Sequence, residues 1–278
     1  MTGRHPELAS LVRNLERAWA HYSIPAEWAR AASELLSAIP TGSDFFDECL
    51  RFASQPELPR QQNMQVGFGH PPLTLYNFKD DAFFVDVYLW CKPSMAIHDH
   101  NFVGACLVLE GETRHEIFDF SSRDTRSEAL RAGVLTSLGR QTLTPGDCFE
   151  IKQGDHMIHR NEHVGVGSVT LVARSSAVGL PQFSYLETGL AIRANRSASH
   201  TRRLQLLDGL LRTYPSRAER YLAETSDEVD PHDLFELTRL YAIAAGGLGR
   251  VPLKTLAILG NLAEEHLGQL SSPSASAH

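Results

Sequence analysis

Residues 90–111 read WCKPSMAIHDHNFVGACLVLEG, and the reading of this stretch decides the fold. In an extended strand, residues i and i+2 point to the same face. His98 and His100 of Ile97-His98-Asp99-His100 therefore project together, with Asp99 on the other side. An apolar run, Phe102–Leu109, follows and ends at Glu110-Gly111. Two imidazoles held side by side make half of a metal site. A third candidate, His159, lies in a later strand-like region beyond Pro145-Gly146-Asp147, a strong turn signal. Three histidines from two strands, with a coordination position left over, suit a catalytic ion.

Outward from this stretch, residues 70–190 alternate short β-rich runs with Gly, Pro, Asp and Asn punctuation. The runs are Leu73–Phe78, Ala82–Trp90, Phe102–Leu109, Glu112–Phe120, Gly133–Leu138, Asp147–Lys152, Ser168–Ser175 and Phe183–Glu187. About eight strands at this spacing, with no long helix between them, predict an antiparallel barrel or jelly roll. Both flanks are helical. Leu8, Leu11, Val12, Leu15 and Trp19 recur at helical spacing, Pro25 suits a helix start, and Ser43 is a cap candidate for a helix running to Ala53. Downstream, helices are expected over Arg202–Tyr214, from Asp230-Pro231 to about Ala245, and over Val251–Leu270, with Gly246-Gly247 as a break. The expected division is a helical segment over 1–60, a β-barrel over 61–195, a helical segment over 196–270 and a Ser/Ala-rich disordered tail over 271–278.

Bulk properties narrow the function. Hydrophobic residues make up 42% and charged residues 21%, as in ordinary globular domains. The formal net charge of −7 and the lack of a basic run argue against nucleic acid as a partner. No stretch approaches the roughly 18 apolar residues of a membrane span, and Met1–Ser10 lacks the apolar core of a secretory signal. Cys49, Cys91, Cys106 and Cys148 are widely spaced with no CxxC pair, which fits buried thiols in a reducing cytoplasm. The apolar runs of the C-terminal helices suit a barrel cover or a homodimer contact.

The stretch from Trp90 to Phe118 resembles the first motif of the cupin superfamily. Within the cupins it looks most like the thiol dioxygenases, of which cysteine dioxygenase is the familiar member. The shared features are Ile97-His98-Asp99-His100, the apolar strand Phe102–Leu109, Gly111 and Glu116-Ile117-Phe118. The resemblance implies a mostly β fold, a double-stranded β-helix or jelly-roll barrel with N-terminal and C-terminal helices. The usual cupin motif carries a Glu ligand three or four residues after the second His. Gly104 and Ala105 occupy those positions here, so the ligand set implied is three histidines, as in the thiol dioxygenases. The second motif, His159-Arg160-Asn161-Glu162, resembles the family's His-Arg-x-Glu, whose His is the third ligand. His156 is a competitor three residues upstream. His115 and His163 read as solvent-facing or supporting residues.

The resemblance covers roughly residues 70–176 and fails at substrate recognition. Cysteine dioxygenases hold the substrate carboxylate with an Arg before the metal motif, where this chain has Leu73-Thr74-Leu75-Tyr76-Asn77. Their Ser-x-His-x-Tyr pattern aligns with Thr170, Val172 and Arg174, so the Tyr and its His partner are absent. A carboxylate left unpaired costs about 2–5 kcal/mol, which disfavours free cysteine. Candidate substrate contacts are Arg174 as a relocated anion anchor, with Tyr88, Asp86 and Tyr76; Arg174 also reads as a strand-end surface residue. Cys106 reads as a packing residue that can also face the cavity.

These readings lead to a cytoplasmic non-haem Fe(II) oxygenase acting on dioxygen and a small, thiol-containing or other, substrate. Neutral imidazoles leave the 2+ charge on the ion and leave room for both reactants, so that catalysis is mainly by proximity. The rivals are a cupin enzyme using Ni, Cu or Zn for another oxygenation or an isomerisation, and a non-enzymatic metal-dependent sensor or binding module. The C-terminal segment lacks the basic recognition helix expected of a DNA-binding regulator.

Overall fold

A computed structural model describes residues 6–22, 24–40, 43–55, 58, 62, 72–90, 96–194 and 196–268. The chain is built around a closed β-barrel with extra strands and flanking helices. It divides into two compact units: one runs through Asp119 and resumes over Thr136–Gln182, the other takes Phe120–Leu135 and the chain from Phe183 onward.

The first unit begins with three helices, α1 (Pro6–His21), α2 (Pro25–Ser37) and α3 (Ser43–Ala53). Pro25 opens α2, where its missing N–H costs nothing. Ser43 is the first helical residue of α3 rather than the residue before it. The strands are β1 (Leu73–Phe78), β2 (Phe83–Trp90), β3 (Ile97–His100), β4 (Gly104–Ser127), β5 (Leu130–Leu143), β6 (Cys148–Ile151), β7 (Gly154–Ser175), β8 (Phe183–Leu186) and β9 (Leu190–Arg193). β7 organises the first unit. It pairs antiparallel with β2 over Phe83–Trp90, with β3, and with β4 along most of its length. β1 adds to β2, and β6 adds to β4.

Strand alternation sorts the side chains into two sets. Phe83, Val85, Val87, Ala105, Leu107, Leu171 and Ala173 meet Leu8, Leu15, Trp28, Leu36, Phe45 and Phe52 of the helices in one apolar core. The intervening residues, Asp86, Tyr88 and Trp90 of β2 with Ser168, Thr170, Val172 and Arg174 of β7, take the opposite, inner face. The runs Phe102–Leu109 and Glu112–Phe120, expected as two strands, form the single strand β4 with register shifts between Val108 and Glu112. Gly111 makes the shift possible. Its φ is +79°, and a Cβ there would stand 2.5 Å from the Gly167 carbonyl oxygen.

In the second unit, β8 and β9 form an antiparallel hairpin, and β9 pairs with the start of β5. Helices α4 (Ala198–Thr213), α5 (Pro215–Thr225), α6 (Pro231–Ala245), α7 (Leu253–Leu259) and α8 (Asn261–Leu267) complete it. Leu130, Leu190 and Ile192 pack with Leu207, Leu222, Leu234, Phe235 and Leu262 in a core of their own. Asp230 caps α6 as expected, its carboxylate accepting from the N–H groups of His232 and Asp233. The single last helix expected over Val251–Leu270 is two, divided at Gly260. Strand β9 and helix α5 have no counterpart in the sequence-based expectation. The tail 271–278 lies outside the described residues. Among the described residues no helix is long and apolar enough to cross a membrane.

Gly104 sits tight against β7: a Cβ there would lie 2.2 Å from the Ala173 carbonyl oxygen and 2.9 Å from Arg174 Cα. Both neighbours are backbone and cannot rotate away. Gly104→Ala is expected to lower the free energy of unfolding by about 3 kcal/mol, at the upper end for overpacking. Urea denaturation reads this directly, and an unchanged midpoint would contradict the close approach.

Candidate metal centre

The antiparallel register of β3 on β7 places His98 opposite His159. His100 follows on the same side of β3, although a register shift separates the two pairings. Ring centroids of His98, His100 and His159 lie 4.6–4.9 Å apart, and one nitrogen from each falls within 4.8 Å of the others. All three are buried. His156, the sequence competitor, is exposed. Asp155 and His156 fall within β7.

The outer nitrogens of two rings are occupied. His98 Nδ1 lies 2.8 Å from the Ala96 carbonyl oxygen and donates to it, which leaves the lone pair on Nε2. His159 Nδ1 lies 2.9 Å from His115 Nε2. His159 Nε2 then faces His100 Nε2 at 2.8 Å. His100 Nδ1 is buried with no hydrogen-bond partner. Burial drives every one of these imidazoles toward the neutral form. It lowers the pKa of His98 and His115 to about 4, and with neighbouring histidines holds His100 and His159 well below the usual value. Two neutral nitrogens in such contact share either one proton or one cation. Bonds of about 2.1 Å to a common ion put ligands at a right angle about 3.0 Å apart, against about 3.4 Å for a tetrahedral pair. The observed 2.8 Å is close to the first, so the residues present fit a divalent ion.

The sequence places His115 among the solvent-facing or supporting residues. It is buried on β4, stacked on Phe149 at 4.5 Å, and linked to His159. His163 is also buried. Its Nδ1 meets Ser168 Oγ at 2.5 Å and Thr113 Oγ1 at 3.1 Å, and its ring stacks on Trp90 at 4.8 Å. Neither residue faces solvent.

The candidate substrate residues divide. Arg174 Nε donates to Asp86 Oδ2 at 2.7 Å, and Thr74 donates to the other carboxylate oxygen at 2.7 Å. The guanidinium lies over Phe84 and Phe102, and Phe102 in turn touches His100. Tyr88 shares this face and stacks on Trp90 at 5.0 Å. Burial and the Asp86 charge push its phenol up, so it stays protonated. Arg174 is thus no surface residue, and its charge is matched by Asp86. Tyr76 stands on the other face, bonded to Glu16 of α1 and packed against Phe83. Cys106 is buried with Ile151 and Val172, against Tyr88, Phe102 and Phe149. Of the residues matched to the second motif, Arg160 pairs with Glu116 at 2.8 Å, and Glu162 lies 3.5 Å from Arg114 at the surface.

No protein-family model matches the chain, and no curated protein matches it. Solved structures of low similarity do. A hydroquinone 1,2-dioxygenase crystallised with Cd2+ and 4-hydroxybenzonitrile matches 36% of this chain and 61% of its own, at 15% identity and a TM-score of 0.28. An oxalate oxidase in complex with glycolate matches 34% of this chain and 43% of its own, at 19% identity and a TM-score of 0.25. A cupin-2 domain protein from Shewanella frigidimarina matches 50% of this chain and 95% of its own, at 13% identity and a TM-score of 0.27. The chain therefore spans less than two thirds of the dioxygenase and less than half of the oxidase. At these scores the likenesses say nothing about activity.

Two expectations follow from the buried imidazoles. His115→Phe keeps the ring stack on Phe149 and removes the contact to His159 Nδ1. Affinity for a divalent ion should fall about 10–100-fold, read by competition with a chelating dye. His163, whose pKa burial lowers to about 4, binds its proton more weakly folded than unfolded. Its neutral form is fully compatible with folding above pH 6.5, and stability is lost as pH falls from there toward 4. At pH 5 the loss is on the order of 2 kcal/mol. His163→Phe should flatten that part of the pH dependence when urea midpoints at pH 7.5 and pH 5 are compared in chelator.

Proposed function

We propose that this chain is a cupin-type, metal-dependent oxygenase whose ion is held by His98, His100 and His159. The observation that carries the reading is the 2.8 Å approach of His100 Nε2 to His159 Nε2, with the far nitrogens of His98 and His159 tied to Ala96 and His115. Ties of this kind orient imidazole ligands and raise their basicity. Gly104 supports the three-histidine set. A Glu at that position is not merely missing, since even its Cβ would collide with the backbone of β7. Ala105 cannot substitute, because it faces the apolar core beneath the helices.

An all-imidazole set adds no negative charge, so the ion keeps its full 2+ and favours an anionic donor atom from the substrate. Fe(II) is the ion this reading takes. When bound it supplies the redox chemistry that joins dioxygen to a small substrate, with a thiolate as the fitting anion.

The chain's own residues shape the substrate. Phe102 and Phe149 flank the histidines, and Tyr88, Trp90 and His163 form a stacked row on the same inner face. Flat apolar contact is what these rings offer. Tyr88 holds its proton and can donate a hydrogen bond. Arg174 is matched by Asp86, so a carboxylate must compete with a buried partner at 2.7 Å. The substrate class is therefore a small thiol without a free carboxylate beside the sulfur, not cysteine. Cys49, Cys106 and Cys148 are unpaired, which fits a reducing compartment such as the cytoplasm.

The test has two arms. Protein purified without added metal should carry iron, and His98→Ala should lose it while its far-UV circular dichroism is unchanged. Oxygen uptake by the iron-loaded protein should respond to at least one member of a panel of small aminothiols and mercaptans. Full iron content in His98→Ala would falsify the site. Silence across the panel would remove the thiol reading.

A further inference from the structure

The second unit holds another buried group of metal-competent side chains. His200 of α4 and His232 and Glu236 of α6 each present one donor atom within 4.8 Å of the others. His232 and Glu236 are one helical turn apart and share a face of α6. All are more than nine-tenths buried, as is Asp233 beside them.

The orientation of the rings is what points to an ion. Asp233 Oδ1 lies 2.9 Å from His200 Nδ1 and 3.2 Å from His232 Nδ1. In the tautomer that carries its proton on Nδ1, each ring turns an Nε2 lone pair toward one carboxylate oxygen: Glu236 Oε2 is 2.6 Å from His200 Nε2 and 3.6 Å from His232 Nε2. In that tautomer three Lewis bases meet, with Oε2 also accepting from Arg196 Nε at 2.9 Å. A carboxylate behind His232, accepting from its Nδ1, and a second one in front is how proteins orient a histidine ligand. His200 Nδ1 adds a separate sign. Although close to Asp233, it is not aligned for a hydrogen bond and has no other partner, so the protein alone does not settle this ring. Arg196 grips Glu236 through Nε and Nη2, and Arg203 donates to Asp233 Oδ2 at 2.9 Å. The Arg193 carbonyl oxygen, 3.2 Å from His232 Nε2, is one more oxygen at the same point.

We propose that His200, His232 and Glu236 form a second, structural site for a divalent transition-metal ion such as Zn(II), oriented by Asp233 and joining α4 to α6. Two imidazoles and one carboxylate suit Zn(II) or a neighbouring ion rather than Ca(II) or Mg(II). The alternative arrangement uses protons alone: His200 shares one with Glu236 across the 2.6 Å gap, and His232 Nε2 donates to Arg193. The two arrangements differ in metal content.

The measurement is zinc stoichiometry of the full chain, stripped with chelator, reloaded with ZnCl2, desalted and assayed by elemental analysis. A His98→Ala/His159→Ala variant, which lacks the barrel ligands, should retain one zinc per chain, and its Tm should rise with zinc concentration. Adding Glu236→Gln to that variant should abolish both effects. A folded barrel-ligand variant that binds no zinc and shows no zinc-dependent Tm would overturn the proposal and leave the proton-sharing network. Should Glu236→Gln fail to fold, Co(II) loaded into the barrel-ligand variant decides: d–d absorption bands from mixed nitrogen and oxygen ligation support the site, and their absence rejects it. Wild type and barrel-ligand variant each holding one zinc would count against the barrel site alone.

Discussion

The first unit depends on the pairing of β7 with three other strands. One long strand carries both faces of the barrel wall. Its Leu171 and Ala173 face the helices, and its Ser168, Thr170 and Arg174 face inward. Near its start it delivers His159 opposite His98. Without the first set, α1, α2 and α3 have nothing to cover. Without the second, no inner wall forms. At Gly104 and Gly111 β4 lies so near this strand that a side chain would strike its backbone.

Burial has an electrostatic consequence along this wall. Three imidazoles gather around one point with a fourth, His115, behind His159, and the pKa of each is lowered mainly because the interior penalises its charged form. Neutral imidazoles are good ligands and poor neighbours, since their lone pairs repel. Protein groups settle some of these lone pairs, through Ala96 and through the contact of His115 with His159. The meeting of His100 Nε2 and His159 Nε2 is left for a proton or an ion. Elsewhere on the same face Asp86 receives Thr74 and Arg174, and Trp90 Nε1 donates to Thr170, while Asn161 Oδ1 and His163 Nε2 are buried without a partner.

The cluster of the second unit solves a different charge problem. Two carboxylates are matched by Arg196 and Arg203, while two imidazoles lie between them with oxygens on both sides of each ring. A neutral imidazole carries one N–H and cannot donate in two directions. Further protons or a cation must complete the arrangement. This cluster escaped the sequence reading because His200 and His232 stand 32 positions apart on different helices, and neither lies in a ligand-like spacing with the other.

What the sequence determined by itself is local. Alternation marks Phe83–Trp90 and Ser168–Ser175 as strands with two faces, the helical period marks α1, Pro25 and Ser43 mark the starts of α2 and α3, and the Asp230-Pro231 cap marks α6. The i, i+2 spacing of His98 and His100 gave their common side, because a strand has period 2. Tertiary structure decided the rest. On β7 the inner residues are odd-numbered at His159, Asn161 and His163 but even-numbered from Ser168 to Arg174, and on β4 they pass from Gly104 and Cys106 to Thr113 and His115. The parity changes at register shifts, which depend on strand pairing and not on the residues of one strand. For that reason alternation could not be carried through to His115 or His163, and Tyr76, past the irregularity between Thr74 and Tyr76, turned to the helices. Which histidines meet is a property of pairing between distant strands, and a single chain read in order does not contain that register.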